Sequence, residues 1–225
     1  MINSLYLAAD APPQDGLLWV QTGYGFAPDG SFLSPEPLTG TVVVNDRFLP
    51  SAAGLKEAEV YFQRIAAVAV VCDFEQPLSD AFAQLVCGIG AQRAVVPPQY
   101  AALPHRAVFL PPYVPVLSYP VWLRRAQEAY GSLWLDLAPL RLQRGVGGAA
   151  RSVPLSRLPP GEAHFSEALC CMYLCRCEAE GTVFSFFDTA STYRLRLERS
   201  GCPCLIPARE YRALLSNDAK SSPSG

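Results

Sequence analysis

Residues 67–75 read AVAVVCDFE: an apolar run from Ala67 to Cys72 passes directly into Asp73, Phe74 and Glu75. A continuous apolar stretch of strand length is the pattern of a strand buried on both faces of a parallel sheet. Residues two apart on a strand share a face. Asp73 and Glu75 are therefore expected side by side at the strand end, with Phe74 turned into the packing. Two carboxyls that close disfavour joint ionisation, so one keeps its proton to higher pH. That is how a general acid is prepared near neutrality.

Similar runs recur on both sides of this one. They are Leu17–Thr22 (LLWVQT), Thr41–Asn45 (TVVVN), Arg93–Pro97 (RAVVP), Ala107–Pro111 (AVFLP), Ser132–Leu137 (SLWLDL), Thr182–Phe187 (TVFSFF) and Cys202–Ile206 (CPCLI). With Ala67–Asp73 they make eight. Ser4–Ala8 (SLYLA) is a ninth, near enough to Leu17–Thr22 to form a hairpin with it.

Helical segments fall between them. Ser51 caps a segment reaching about Ala66, and Ser79–Ile89 has Asp80 in its first turn and Gly90 as its stop. Pro120–Tyr130 opens on a first-turn proline and ends at Gly131. Phe165–Glu178, apolar nearly all round, reads as a buried helix. Ala190–Arg199 stops at Gly201, Arg209–Leu215 closes the fold, and residues 216–225 read as a disordered polar tail.

Strands alternating with helices predict an α/β fold with a parallel sheet. Eight strands within about 190 residues predict a compact (β/α)₈ barrel of the TIM type, where ordinary barrels take about 250. Some helices must then be short or missing. Residues 98–106 are too few for an ordinary parallel crossover, and residues 23–40, with Asp29-Gly30, read as a loop. Residues 1–215 are read as one barrel domain; an open doubly wound sheet is the alternative. Residues 139–161, rich in glycine and proline, leave a strand end and are expected to form a mobile lid over the mouth.

Composition narrows the function classes. Half of the 225 residues are apolar, 17% are charged and the net charge is -2. There is ample material for a core, and no broad basic footprint for nucleic acid. No apolar run is long enough to span a bilayer, and MINSLYLAAD lacks the basic start of a signal peptide. A cytoplasmic location is the expectation, with the eight cysteines as thiols.

Barrel active sites gather at the C-terminal ends of the strands. The polar residues at those ends are Gln21, Thr22 and Tyr24; Asn45 and Asp46; Asp73 and Glu75; Tyr113; Asp136; and Asp188. Asp73 and Glu75 are the catalytic candidates. Tyr113, Tyr24, Gln21, Asn45, Asp136 and Asp188 are the substrate-binding candidates, the tyrosines as stacking surfaces for a sugar. Trp19 and Trp134 lie mid-strand and are read as core.

Other motifs carry less. Cys170, Cys171, Cys175 and Cys177 fall within the helix-like run, where their spacing diverges from a metal site, so they are read as small buried residues. His105 and His164 have no cysteine or serine partner in sequence, and RGVGG at 144–148 lacks the context of a dinucleotide loop. Arg141, Arg144, Arg151 and Arg157 are read as a solvated loop face. No metal or cofactor is expected.

A strand of small and branched apolar residues ending in D-x-E and followed by a helix resembles the catalytic strand of glycoside hydrolase family 18, which includes chitinases and cell-wall hydrolases on (β/α)₈ barrels. Of the family pattern DxxDxDxE, this chain keeps the last two acids, Asp73 and Glu75, with Val68 and Val71 at the earlier positions. The resemblance covers residues 60–90. It implies that Glu75 protonates the glycosidic oxygen and that Asp73 orients the substrate's N-acetyl group, the internal nucleophile. It also implies a tyrosine holding that group, for which Tyr113 is the candidate. The family carries its motif on the fourth strand; Asp73 falls on the third here unless Ser4–Ala8 belongs to the barrel. The family's tryptophan after the last strand has no counterpart in CLIPAREY. The expected function is thus a glycosidase-like barrel, altered or intact, acting on or binding an N-acetylglucosamine-containing glycan. The alternative is a catalytically silent barrel that binds a carbohydrate or protein partner.

Overall fold

In the computed structural model the described residues are 5–9, 18–35, 40–146, 148–153, 161–179 and 181–213. The expected tail at 216–225 lies outside them, as do Gly147 and Arg157.

The chain begins with β1 (Leu5–Ala9), β2 (Leu18–Phe26), the two-residue β3 (Phe32–Leu33) and β4 (Gly40–Asn45). Helix α1 (Ala52–Arg64) leads to β5 (Ala67–Asp73), and α2 (Asp80–Ile89) leads to β6 (Ala94–Val96). A single 3-10 turn, Pro98–Tyr100, connects β6 to β7 (Ala107–Leu110), and α3 (Tyr119–Tyr130) precedes β8 (Leu133–Asp136). An inserted antiparallel sheet follows: β9 (Arg141–Gly145), β10 (Arg151–Ser152), β11 (His164–Ser166), β12 (Cys171–Glu178) and β13 (Gly181–Phe187). Helix α4 (Ala190–Ser200) returns the chain to the barrel as β14 (Cys204–Pro207).

β1, β2, β4, β5, β6, β7, β8 and β14 form a closed parallel barrel of the TIM type. β1 closes it, pairing in parallel with β14 through Leu5↔Cys204 and with β2 through Tyr6↔Leu18. The hairpin expected of Ser4–Ala8 is therefore replaced by a parallel strand, and β5 becomes the fourth strand of the barrel. Thr182–Phe187 is a strand, but it sits in the inserted sheet between β9 and β12 rather than in the barrel. Phe165–Glu178 is not a helix: it is the end of β11, a turn through Cys170 (φ 52°), and β12. A strand with apolar residues on both faces shows the same all-round apolar pattern as a buried helix. On β12 alternate residues Cys171 and Tyr173 face one side, Met172 and Leu174 the other.

Local chemistry accounts for the helix starts. The Ser51 Oγ accepts from Gly54 N at 3.1 Å, and the Ser79 Oγ accepts from Phe82 N at 3.4 Å. Thr189 and Thr192 form a reciprocal capping box on α4. Between β2 and β4 the short β3 hairpin stands where a helix would be, and a β-carbon on Gly54 would meet the Gly30 carbonyl oxygen at 2.1 Å. This close approach seats the hairpin on α1.

The barrel interior is filled by Val20, Val43, Ala69, Val71, Val95, Ala107, Phe109, Trp134 and Leu205. Outside it, α1 and α2 cover one side through Phe62, Phe82 and Leu85, and α3 and α4 cover the other through Leu123, Tyr193 and Leu197. The inserted sheet packs on the α3 side through Phe186, Cys171 and Leu140 against Tyr113 and Tyr119. The expected loop-like lid is thus, in its described residues, a sheet standing beside the mouth. No helix among the described residues is long and apolar enough to cross a membrane.

Candidate functional site

Interior residues on a strand alternate, so the strand ends that face the axis follow from those below them. Val71 is interior, which turns Asp73 inward at the C-terminal end of β5. Trp134 is interior, which turns Asp136 inward at the end of β8. Phe109, interior on β7, lines the same mouth as an apolar surface.

The mouth has two lobes that share these three residues. The larger, about 780 Å³, also meets Ala8, Thr22 and Val43 and, from the last strand and the expected closing helix, whose described part is 208–213, Pro207, Arg209, Glu210 and Arg212. The smaller, about 360 Å³, runs past Glu75, Pro97, Gln99 and Pro111. Asp73, Phe109 and Asp136 form the waist where both lobes meet. Neither lobe takes a described residue from the inserted sheet.

The D-F-E segment is held from below. Phe74 is buried against Phe82 and Tyr100, with ring centroids 4.7 and 5.5 Å away. The buried Asp46, at the end of β4, accepts from Glu75 N at 3.0 Å and from Gln76 N at 2.7 Å. Gln99 Nε2 donates to the Phe74 carbonyl at 2.9 Å. Glu75 lies just past the strand end, exposed at the rim of the smaller lobe.

The waist carboxyls are electrostatically unusual. Burial, followed by the charges of Glu75 and Asp46, raises the pKa of Asp73. Burial pushes Asp136 up to about 7, opposed by a hydrogen bond from Ala138 N and reinforced by the charges of Asp73 and Glu210. That bond reaches Asp136 Oδ1 at 2.9 Å.

Of the other strand-end candidates, Asn45 stands beside Asp73 in register, its amide donating to Tyr24 O at 3.0 Å and accepting from Arg47 N at 3.1 Å. Tyr24 does not reach the mouth. It is fully buried between barrel and α1, where its hydroxyl donates to Gln21 Oε1 at 2.9 Å and accepts from Tyr61 at 3.3 Å. Gln21 is buried with it, on the outer face opposite the interior Val20. Alternation alone would send Tyr24 inward like Thr22. An irregularity in the β2–β4 pairing between Gln21 and Tyr24, with Gly23 at φ 99°, reverses the parity. Tyr113 is buried edge-on against Tyr119 at 5.1 Å, its hydroxyl donating to the Leu117 carbonyl. It offers no face to a ligand in the mouth.

Asp188 is also buried, paired with the fully buried Arg196 of α4. It accepts from Leu140 N at 2.8 Å and from the Thr192 hydroxyl at 3.0 Å, while Arg196 Nη2 donates to the Ala138 carbonyl at 3.2 Å. The pair anchors residues 138–140 where they leave the barrel, immediately after Asp136. It is a support for the mouth rather than a lining of it.

Sequence reasoning overlooked Phe109, Arg209, Glu210 and Arg212. Each carried a signal: Phe109 alternates with Ala107 on an apolar strand, and AREYR (208–212) follows the last strand run CLIP directly. Among the described residues no three His, Cys, Asp or Glu side chains are grouped to hold a metal ion.

No protein-family model matches the chain, and no curated protein sequence matches it. Among solved structures, the spore cortex-lytic enzyme SleL of Bacillus cereus superposes with a TM-score of 0.49 at 10% identity, over 95% of this chain and 73% of its own. YdhD of Bacillus subtilis, assigned as a sporulation-specific glycosylase, gives a TM-score of 0.47 at 12% identity, over 82% of this chain and 90% of its own. SleL of Bacillus megaterium gives 0.47 at 9% identity, over 95% and 73%.

Proposed function

We propose that the chain acts on an N-acetylhexosamine-containing glycan laid across the barrel mouth, with Glu75 as proton donor and Asp73 as its anionic partner. The observation that carries this reading is the D-x-E segment at the C-terminal end of the fourth barrel strand. Its aspartate is desolvated at the waist of an open cleft and its glutamate stands at the rim of the same cleft. Two adjoining cavities that share lining residues offer places for more than one sugar ring.

In this reading Glu75 gives its proton to the glycosidic oxygen as the bond to the anomeric carbon breaks. The sugar's own acetamido oxygen bonds to that carbon, and Asp73 balances the positive charge that develops on the acetamido group. Water then opens the ring so formed, returning its proton to Glu75. Asp46, by gripping the amides of Glu75 and Gln76, keeps the acid at a fixed distance from Asp73.

A second reading is favoured by the exposure of Glu75: a barrel that binds the same glycan without cleaving it. Hydrolysis of a fluorogenic N-acetylglucosaminide and chito-oligosaccharide panel separates the two. For the hydrolase, Glu75→Gln lowers kcat by about 10²-fold or more, the usual contribution of a general acid, while the melting temperature and ligand affinity stay near wild type. Asp73→Asn also slows turnover. A wild type silent across the panel that still binds the oligosaccharide leaves the binding barrel. Turnover that survives Glu75→Gln removes Glu75 as the acid.

A further inference from the structure

We propose that Asp136 is the specificity-determining residue of the mouth: its carboxylic acid donates a hydrogen bond that, with the accepting carboxylate of Asp73, reads the acetamido group of the sugar. This rests on the glycan reading above and names the feature of the glycan that the waist recognises.

Asp136 and Asp73 enter the cleft from the seventh and fourth barrel strands and line both lobes together with Phe109. Asp136 Oδ1 is taken by the Ala138 amide. Among the described residues nothing bonds its second oxygen, which is left to carry a proton into the cleft. The groups around it set which carboxyl holds that proton. Asp73 faces it from β5 with Glu75 beyond, Glu210 acts on it from the helix after β14, and Arg209 and Arg212 of that helix also line the larger lobe. Arg196 of α4 acts from behind, bonded to the Ala138 carbonyl and neutralised by Asp188. Burial weighs most on Asp136 and the acids outweigh Arg196, so its proton persists to about pH 7.

The chemistry of the pair follows. An ionised carboxylate only accepts; a carboxylic acid donates. One of each, with an apolar surface in the same mouth, is the complement of an amide, which has a fixed N–H, a fixed C=O and a methyl group. A sugar hydroxyl can turn to satisfy either carboxyl, so it draws little discrimination from the arrangement. Once Asp136 ionises, its lone pairs face the acetamido carbonyl oxygen and the match becomes a repulsion.

The test is calorimetric titration of the full chain, in a Glu75→Gln background that blocks turnover, with tri-N-acetylchitotriose and with cellotriose at pH 6 and pH 8.5. The expected result is affinity for the acetylated trimer that drops about tenfold or more at the higher pH, the worth of one hydrogen bond replaced by two facing acceptors. Cellotriose affinity, by contrast, changes little. Asp136→Asn keeps a donor at every pH, so it retains binding and loses the pH dependence; Asp136→Ala binds weakly at both. Affinity that is flat with pH, or an unaltered pH drop in Asp136→Asn, overturns the proposal and leaves the glycan reading standing. Failure of tri-N-acetylchitotriose to bind at both pH values overturns both. Thermal melts of wild type and Asp136→Asn alongside show whether the carboxyl titrates near neutrality in the unliganded mouth. Identical pH dependence of the two melts also overturns the proposal.

Discussion

Replacing Asp188 with asparagine keeps the shape of the side chain and removes its charge from a fully buried ion pair. Arg196 has no exposed surface, and its Nε and Nη1 have no hydrogen-bond partner among the described residues. The carboxylate of Asp188 is therefore what compensates the buried guanidinium. An asparagine would still accept one of the two bonds from Leu140 N and Thr192, but its NH₂ would then face donors. Breaking a buried pair by removing one partner leaves an uncompensated charge and costs about 3–5 kcal/mol. For a chain of ordinary stability, that is a third to a half of the total. Urea unfolding followed by tryptophan fluorescence at pH 7 reads it as a lower midpoint with an unchanged slope. The companion variant Asp188→Leu/Arg196→Met removes both charges and is expected to recover much of that loss, short of wild type because the buried Leu140 N–H loses its acceptor. A loss under about 1 kcal/mol in Asp188→Asn, or a double variant as damaged as the single one, refutes the reasoning.

Asp136→Asn is expected to stabilise the chain at neutral pH. The folded pKa of Asp136 is raised from 3.8 to about 7, so its contribution to stability is fully present below pH 4 and is lost as pH rises through 7. Three pKa units are at most about 4 kcal/mol, and the partial exposure of the carboxyl reduces that to about 2; melts of both proteins from pH 4 to 8 should diverge over that window and run parallel above it. Asp46→Ala frees the amides of Glu75 and Gln76, costing about 1–3 kcal/mol and lowering kcat with little change in KM. Asp46→Asn, which still accepts one of those bonds, should recover part of the kcat. Gly54→Ala drives a β-carbon to within 2.1 Å of the Gly30 carbonyl, and an expected loss of about 3 kcal/mol or more appears as a lowered melting temperature.

What the sequence determined by itself was local and periodic. The apolar runs of Ala67–Cys72, Thr41–Val44 and Ser132–Leu137 are strands because their length and branching leave little else. Alternation along Ala67–Asp73 puts Asp73 on the face of Ala69 and Val71, and barrel closure made that face the interior. Ser51, Ser79 and Thr189 begin helices because each offers an oxygen to an amide three residues on. What only the tertiary structure decided was non-local. Five residues, Leu5–Ala9, become the closing barrel strand because their backbone finds β14 some two hundred positions away, and that pairing makes β5 the fourth strand. Thr182–Phe187 has strand chemistry in either sheet, and it joins β9 and β12 because antiparallel neighbours lie close along the chain. The irregularity at Gly23 reverses the alternation of β2 and buries Tyr24 outside the barrel. The raised pKa of Asp136 is not set by its own strand: it results from burial and from the carboxyls of Asp73 and Glu210, which two other segments bring to the same mouth.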